Sequence, residues 1–211
     1  MIDNGEIILR LMLIPGILLG FVLHEFAHAL MADRLGDPTP RSQGRITLDP
    51  RAHIDIIGFI LILIVQFGWA KPVMTNPRNY RKPRRDDILV SLAGPCANLV
   101  LAAIFLLTVK VLSFTSLAAE GNQVGYITIM TLINSAHINV VLFVLNLLPL
   151  PMLDGYHVLT NIFDAWKYRI FNILEQYGMF IFILLAVSRV LNIILDPPVT
   201  AIFGFLTRLI L

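Results

Sequence analysis

His24-Glu25-Phe26-Ala27-His28, set inside the apolar run Ile7–Met31, is the stretch that decides how the rest of the chain is read. Three ionisable side chains within one turn or so of a hydrocarbon-spanning helix are costly unless they have partners, so the cluster marks a functional site. Residues four apart share a helical face, which lets His24 and His28 offer imidazole nitrogens to a single zinc ion. Glu25, one residue round, is placed to act as general base on a water that such an ion activates. A structural zinc site would instead be closed by four ligands and rich in Cys. Cys96 is the only cysteine.

Outward from this stretch, the composition sets the class. Hydrophobic residues make up 57% of the 211, charged residues 14%, and the mean hydropathy is +0.78. That describes a polytopic membrane protein with room for about four to six membrane segments and no large soluble domain. A net charge of +2 is too small to point to nucleic acid. Asp3 and Glu6 stand where a signal peptide would carry basic residues, so the first apolar run reads as a retained membrane helix.

Along the chain, Gly36-Asp37-Pro38 ends the first helix. Gly44–Asp49 alternates polar and apolar residues before Pro50, which predicts a short strand or hairpin. Ile56–Phe67 is too short to span comfortably, and basic residues from Arg34 to Arg51 and from Lys71 to Arg85 flank it on both sides. Basic loops stay cytoplasmic, so this segment is expected to dip in and return. Pro72, Pro77 and Pro83 exclude one helix over 69–83.

A second span is expected over Ile88–Leu112, with Asp86 and Asp87 at its positive N-terminal end. Within it, small residues from Ala93 to Ala97 suit close helix contact, and Asn98 serves either one interhelical hydrogen bond or the chemistry itself. The third span, Tyr126–Leu148, runs into Pro149 and Pro151, which forbid regular helix. At membrane depth such a break belongs beside a cavity, so Asp154 is the natural third metal ligand. Ile170–Leu195 reads as a fourth span ended by Asp196-Pro197-Pro198, and the tail Val199–Leu211 as an interfacial segment. His53 and His137 read as ordinary packing residues, and His157 as interfacial. The basic loops place the N-terminus outside, loops 34–87 and 149–169 inside, and loop 113–125 outside. His24 then lies roughly 14 Å below the cytoplasmic surface, at the same end as Asp154.

The chain resembles the site-2 proteases, zinc metalloproteases that cleave membrane-embedded segments of other proteins. The resemblance rests on His24 to His28, Gly68-Trp69-Ala70-Lys71-Pro72-Val73, Ser91-Leu92-Ala93-Gly94-Pro95 with Asn98, and Asn146 through Asp154-Gly155, in the family's order. It implies that His24, His28 and Asp154 bind one zinc per chain, that Glu25 activates water, and that Asn146 contacts the substrate backbone or the developing oxyanion. The stretch Gly44–Ile54 corresponds to the family's membrane-re-entrant β region, expected to offer a strand edge to an unwound substrate.

The fold expected is an all-α polytopic membrane protein with a short re-entrant β segment, about four spanning helices, and re-entrant and interfacial segments. It forms one membrane-embedded metalloprotease domain over residues 1–211, without PDZ-like or nucleotide-binding modules. The partners implied are the lipid bilayer and a single-pass membrane-anchored protein substrate, in a prokaryotic cell membrane with the active site towards the cytoplasm. Small residues around Gly94 suit packing within one chain or between two, which leaves a homo-oligomer open. The competing reading is a metal-binding membrane protein without protease activity, a transporter or pseudo-enzyme scaffold. Such a site has no need of a general base at the spacing of Glu25.

Overall fold

A computed structural model describes residues 4–65 and 68–211, and its elements are helices throughout, with no strand among the described residues. In order they are α1 (Asn4–Arg34), α2 (Thr39–Ser42), α3 (Pro50–His53), α4 (Ile56–Val65), α5 (Pro83–Ser113), α6 (Gln123–Asn146), α7 (Asp154–Ile162), α8 (Arg169–Val187) and α9 (Val190–Ile210). Five of them, α1, α5, α6, α8 and α9, are long and apolar enough to cross a membrane. Large apolar side chains remain exposed along them, among them Leu11, Ile104, Leu107 and Leu184. In water these would be a liability, and in a bilayer they meet lipid. The chain is a multi-pass membrane protein.

The ends of the helices follow from local chemistry. Past the end of α1 the amide of Asp37 bonds to Ala32 O and Gly36 takes φ +110, the left-handed stop that glycine adopts without strain. α5 begins earlier than its apolar run because Pro83 suits the first turn and Asp86 reaches back to accept from the Lys82 amide. Buried residues of α5 (Leu101, Phe105, Leu106), α6 (Ala136, Val140, Val144) and α9 (Leu191, Leu195, Val199) form the main core. α1 lies against α5 and α6. There Gly16 and Gly20 face Ser135 and Asn139, and the missing Cβ atoms let the two backbones approach closely.

Two expectations need correction. Gly44–Asp49 forms no strand. Its polar groups are taken locally instead: Arg45 N bonds to Pro40 O, Asp49 N to the Thr47 hydroxyl, and His53 Nε2 lies 2.7 Å from Thr47 O. Alternation specifies a strand only when a partner edge lies alongside. The expected fourth span, Ile170–Leu195, is cut at Ser188 and Arg189, where Arg189 takes the left-handed φ of 62. Pro197 and Pro198 fall inside α9 rather than ending a helix, and the tail is the far part of that helix. Neighbouring helices tolerate such prolines at membrane depth. The Phe203 ring meets His137 edge-on at 5.1 Å and Lys110 Nζ donates to Ile210 O, so α9 runs in the same direction as α5.

The segment after α3 goes out and comes back. α4 is only ten residues long, about 15 Å at helical rise. Lys71 N returns to bond His53 O at 2.9 Å, and Gly58 leaves room for the backbone of Trp69. Gln66 and Phe67, the end of the expected Ile56–Phe67 run, lie outside the described residues. From Gly68 to Asn76 the chain is irregular, ending in a single tight turn over Pro77–Asn79.

Candidate metal centre

The helical spacing of four puts the imidazoles of His24 and His28 side by side on α1, their Nε2 atoms 3.0 Å apart. The side chain of Asp154 comes to them from the first turn of α7. Its Oδ2 lies 3.2 Å from His24 Nε2 and its Oδ1 3.3 Å from His28 Nε2. What brings it there is the break after α6. Pro149 and Pro151 stop the helix, Met152 turns the chain with φ 77, and α7 restarts at Asp154. Gly155 rests against the carbonyls of Leu147 and Leu148, where any larger residue would push α7 away.

Behind the imidazoles, α5 fixes their orientation. His28 Nδ1 lies 2.7 Å from the carbonyl oxygen of Val90, and His24 Nδ1 lies 2.7 Å from Oδ1 of Asn98. Both partners accept, so each Nδ1 donates and each Nε2 is left with a lone pair facing the other and Asp154. Gly94 makes this possible, because a Cβ at that position would run into both Nε2 atoms.

Two imidazole lone pairs and a carboxylate thus converge with their ligand atoms within 4.8 Å. Asp154 Oδ2 is buried with no hydrogen-bond donor among the described residues. A cluster of acceptors without a donor fits a cation. Two imidazoles and a carboxylate are a donor set suited to zinc with an open fourth position, and the Nδ1 bonds are of the outer-shell kind that orients such ligands.

Glu25 is buried, and its Oε2 accepts 2.8 Å from the backbone amide of Val73. It lines, with His24, His28 and Asp154, a cleft of about 430 Å³ that also includes Pro72, Val73, Ser91 and Asn146. Asn146 therefore reaches the cleft, but its amide nitrogen donates to Leu142 O on its own helix and not to the His and Asp group. His157 lines the cleft as well. Arg45 lies buried beneath the returning segment with Nη2 on Lys71 O. Burial lowers its pKa from the ordinary arginine value, while the charge of Glu25 pulls the other way.

The sequence carries no sign of two of these contacts. Val73 and Val90 act through backbone groups, which every residue has. Asn139, by contrast, is visible in the sequence as a polar side chain within the apolar helix α6.

The chain matches the family model described as Peptidase family M50 over residues 12–131 and 108–188. YwhC of Bacillus subtilis (strain 168) is 38% identical over 190 residues, covering 90% of this chain and 86% of that protein. Rip2 of Mycobacterium tuberculosis (strain ATCC 25618 / H37Rv) is 32% identical over 187 residues, covering 86% of this chain and 68% of that one. Both are named as zinc metalloproteases. No solved structure matches the chain.

Proposed function

The chain belongs to Peptidase family M50, and from that premise we propose that it is an intramembrane zinc metalloprotease. It hydrolyses peptide bonds in or near the transmembrane segments of membrane-anchored proteins, and residues 1–211 act as one membrane-embedded domain. The observation that carries this reading is the convergence of His24, His28 and Asp154, three acceptors without a donor, beside the buried carboxylate of Glu25.

His24, His28 and Asp154 hold one zinc ion. When bound, the ion lowers the pKa of a water towards about 7 and polarises a peptide carbonyl. Glu25 takes the proton of the attacking water and passes it to the leaving amine. The Val73 amide keeps the Glu25 carboxylate turned into the cleft between these transfers. Asn146, at the rim, releases Leu142 O and turns its amide to the carbonyl oxygen as charge develops there. The cleft opens towards the cytoplasmic side, where the basic loops lie. A peptide bond inside a helix is shielded, so the substrate segment is extended before attack. A carboxylate held at this spacing supports a hydrolase over a transporter or scaffold, which would not use it.

The test is zinc stoichiometry together with cleavage of a transmembrane model substrate, wild type against Glu25→Gln. One zinc in both proteins and cleavage by wild type alone is the expected result. Cleavage by Glu25→Gln, or a wild type that holds no zinc when prepared with it, overturns the reading.

A further inference from the structure

Asn139 is fully buried in the interface of α1, α5 and α6, and the mechanism above makes no use of it. Its Nδ2 lies 3.0 Å from Gly16 O on α1 and 2.8 Å from Ser135 O on its own helix. Carbonyl oxygens only accept, so this end of the amide must be the NH2 and Oδ1 must face the other way. Oδ1 accepts from Nδ2 of Asn98 at 2.9 Å, and the second hydrogen of that group goes to Gly20 O at 3.2 Å. With both hydrogens of Asn98 committed, only its Oδ1 is left for His24, 2.7 Å from Nδ1. Each link has a single orientation, and the series starts from two backbone carbonyls that cannot be reversed.

We propose that Asn139 is a positioning residue which, through Asn98, keeps the hydrogen of His24 on Nδ1 and so leaves Nε2 free for the metal. The proposal rests on the reading of His24 as a zinc ligand. Were Asn98 turned over, its NH2 would meet Nδ1 and force the hydrogen onto Nε2, the atom that must ligate. The interior around both amides is closed to solvent, so water cannot satisfy a reversed amide in their place. Asn139 opposes the reversal together with the Gly20 carbonyl, because a turned Asn98 would set its oxygen against Asn139 Oδ1 at the 2.9 Å contact and against Gly20 O at 3.2 Å. Gly20 is part of the same device, since a Cβ there would come 2.7 Å from Asn139 Oδ1.

The experiment compares full-length wild type, Asn139→Leu and Ser135→Ala in detergent micelles. Leucine fills the space without the amide. Ser135→Ala alters the same helix crossing but leaves the carbonyl of residue 135 in place. Two quantities are read: zinc affinity by competition with a chelator, and hydrogen exchange of His24 Nδ1–H by NMR in the metal-free protein. The expected result is about 10–100-fold weaker zinc binding in Asn139→Leu, the range typical of lost outer-shell partners, with Nδ1–H exchange about tenfold faster or more. Ser135→Ala should match wild type on both, which a packing role alone does not predict.

Affinity and exchange in Asn139→Leu within about twofold of wild type would overturn the proposal. So would a metal-free wild type whose His24 carries no hydrogen on Nδ1, a result that needs no variant to fold. Zinc binding by wild type without any cleavage counts against the protease reading only, and the affinity comparison still decides this one.

Discussion

The carboxylate of Glu25 on α1 accepts a hydrogen bond of 2.8 Å from the backbone amide of Val73, forty-eight residues further along the chain. The bond joins the helix that carries the histidines to the segment that returns from α4. Replacing Val73 by Pro removes the donor in a stretch that is not helical. A hydrogen bond to a charged group contributes about 1.5–3 kcal/mol. Turnover should fall by about 10–100-fold while zinc content stays at the wild-type level. Kinetics on a transmembrane substrate, with metal analysis of the same sample, measures both.

Gly94 lies where any Cβ would meet both Nε2 atoms. Gly94→Ala favours the helix by about 0.5–1 kcal/mol in propensity, yet it should weaken zinc binding by about tenfold or more through the displaced imidazoles. Helix content by circular dichroism together with zinc competition separates the two effects. Wild-type zinc affinity in this variant would show that the imidazoles do not depend on α5 for their place.

Asp37 is one carboxylate expected to make the fold sensitive to acid. It is fully buried, and its carboxylate accepts from Thr39 N and Oγ1, Asn76 N and Asn79 Nδ2, which ties the end of α1 to the segment bearing Val73. Burial works against its charge, but these hydrogen bonds outweigh burial and lower its pKa from the ordinary 3.8. A pKa depressed in the folded state contributes stability that is full above the unfolded value and lost as pH falls through the folded one. Thermal melting of wild type should therefore drop below about pH 4. In Asp37→Asn the starting stability should be lower and the acid dependence flatter.

Zinc removal should lower the melting temperature, because an ion that binds only the folded state stabilises it by mass action. At a hundred times the dissociation constant the gain is about 2.7 kcal/mol. Asp154→Asn should lose most of that zinc-dependent shift while its metal-free melting stays near wild type. Thermal scans with and without a chelator, followed by zinc readdition, provide the check.

Much of the architecture is legible in single residues. Pro149 and Pro151 announce the break that presents Asp154, and Gly36-Asp37-Pro38 announces the end of α1. These are statements about one turn of chain, where sterics act between neighbours. The errors fall where the outcome depends on something distant. Gly44–Asp49 alternates as a strand would, but its polar groups find Pro40 O and the Thr47 hydroxyl before any partner strand. Pro197 and Pro198 look like terminators, but they sit inside α9, which packs through Leu191, Leu195 and Val199 into the core.

By itself the sequence determined the membrane class, the long apolar helices and the common face of His24 and His28. Hydropathy and helical period are properties of consecutive residues. Only the tertiary structure decided that α8 and α9 part at Arg189, that the Val73 amide meets Glu25, and that Asn139 reaches His24 through Asn98. Each of these is a pairing across many residues of chain, through backbone groups or amides whose partners are whatever the packed helices bring within about 3 Å.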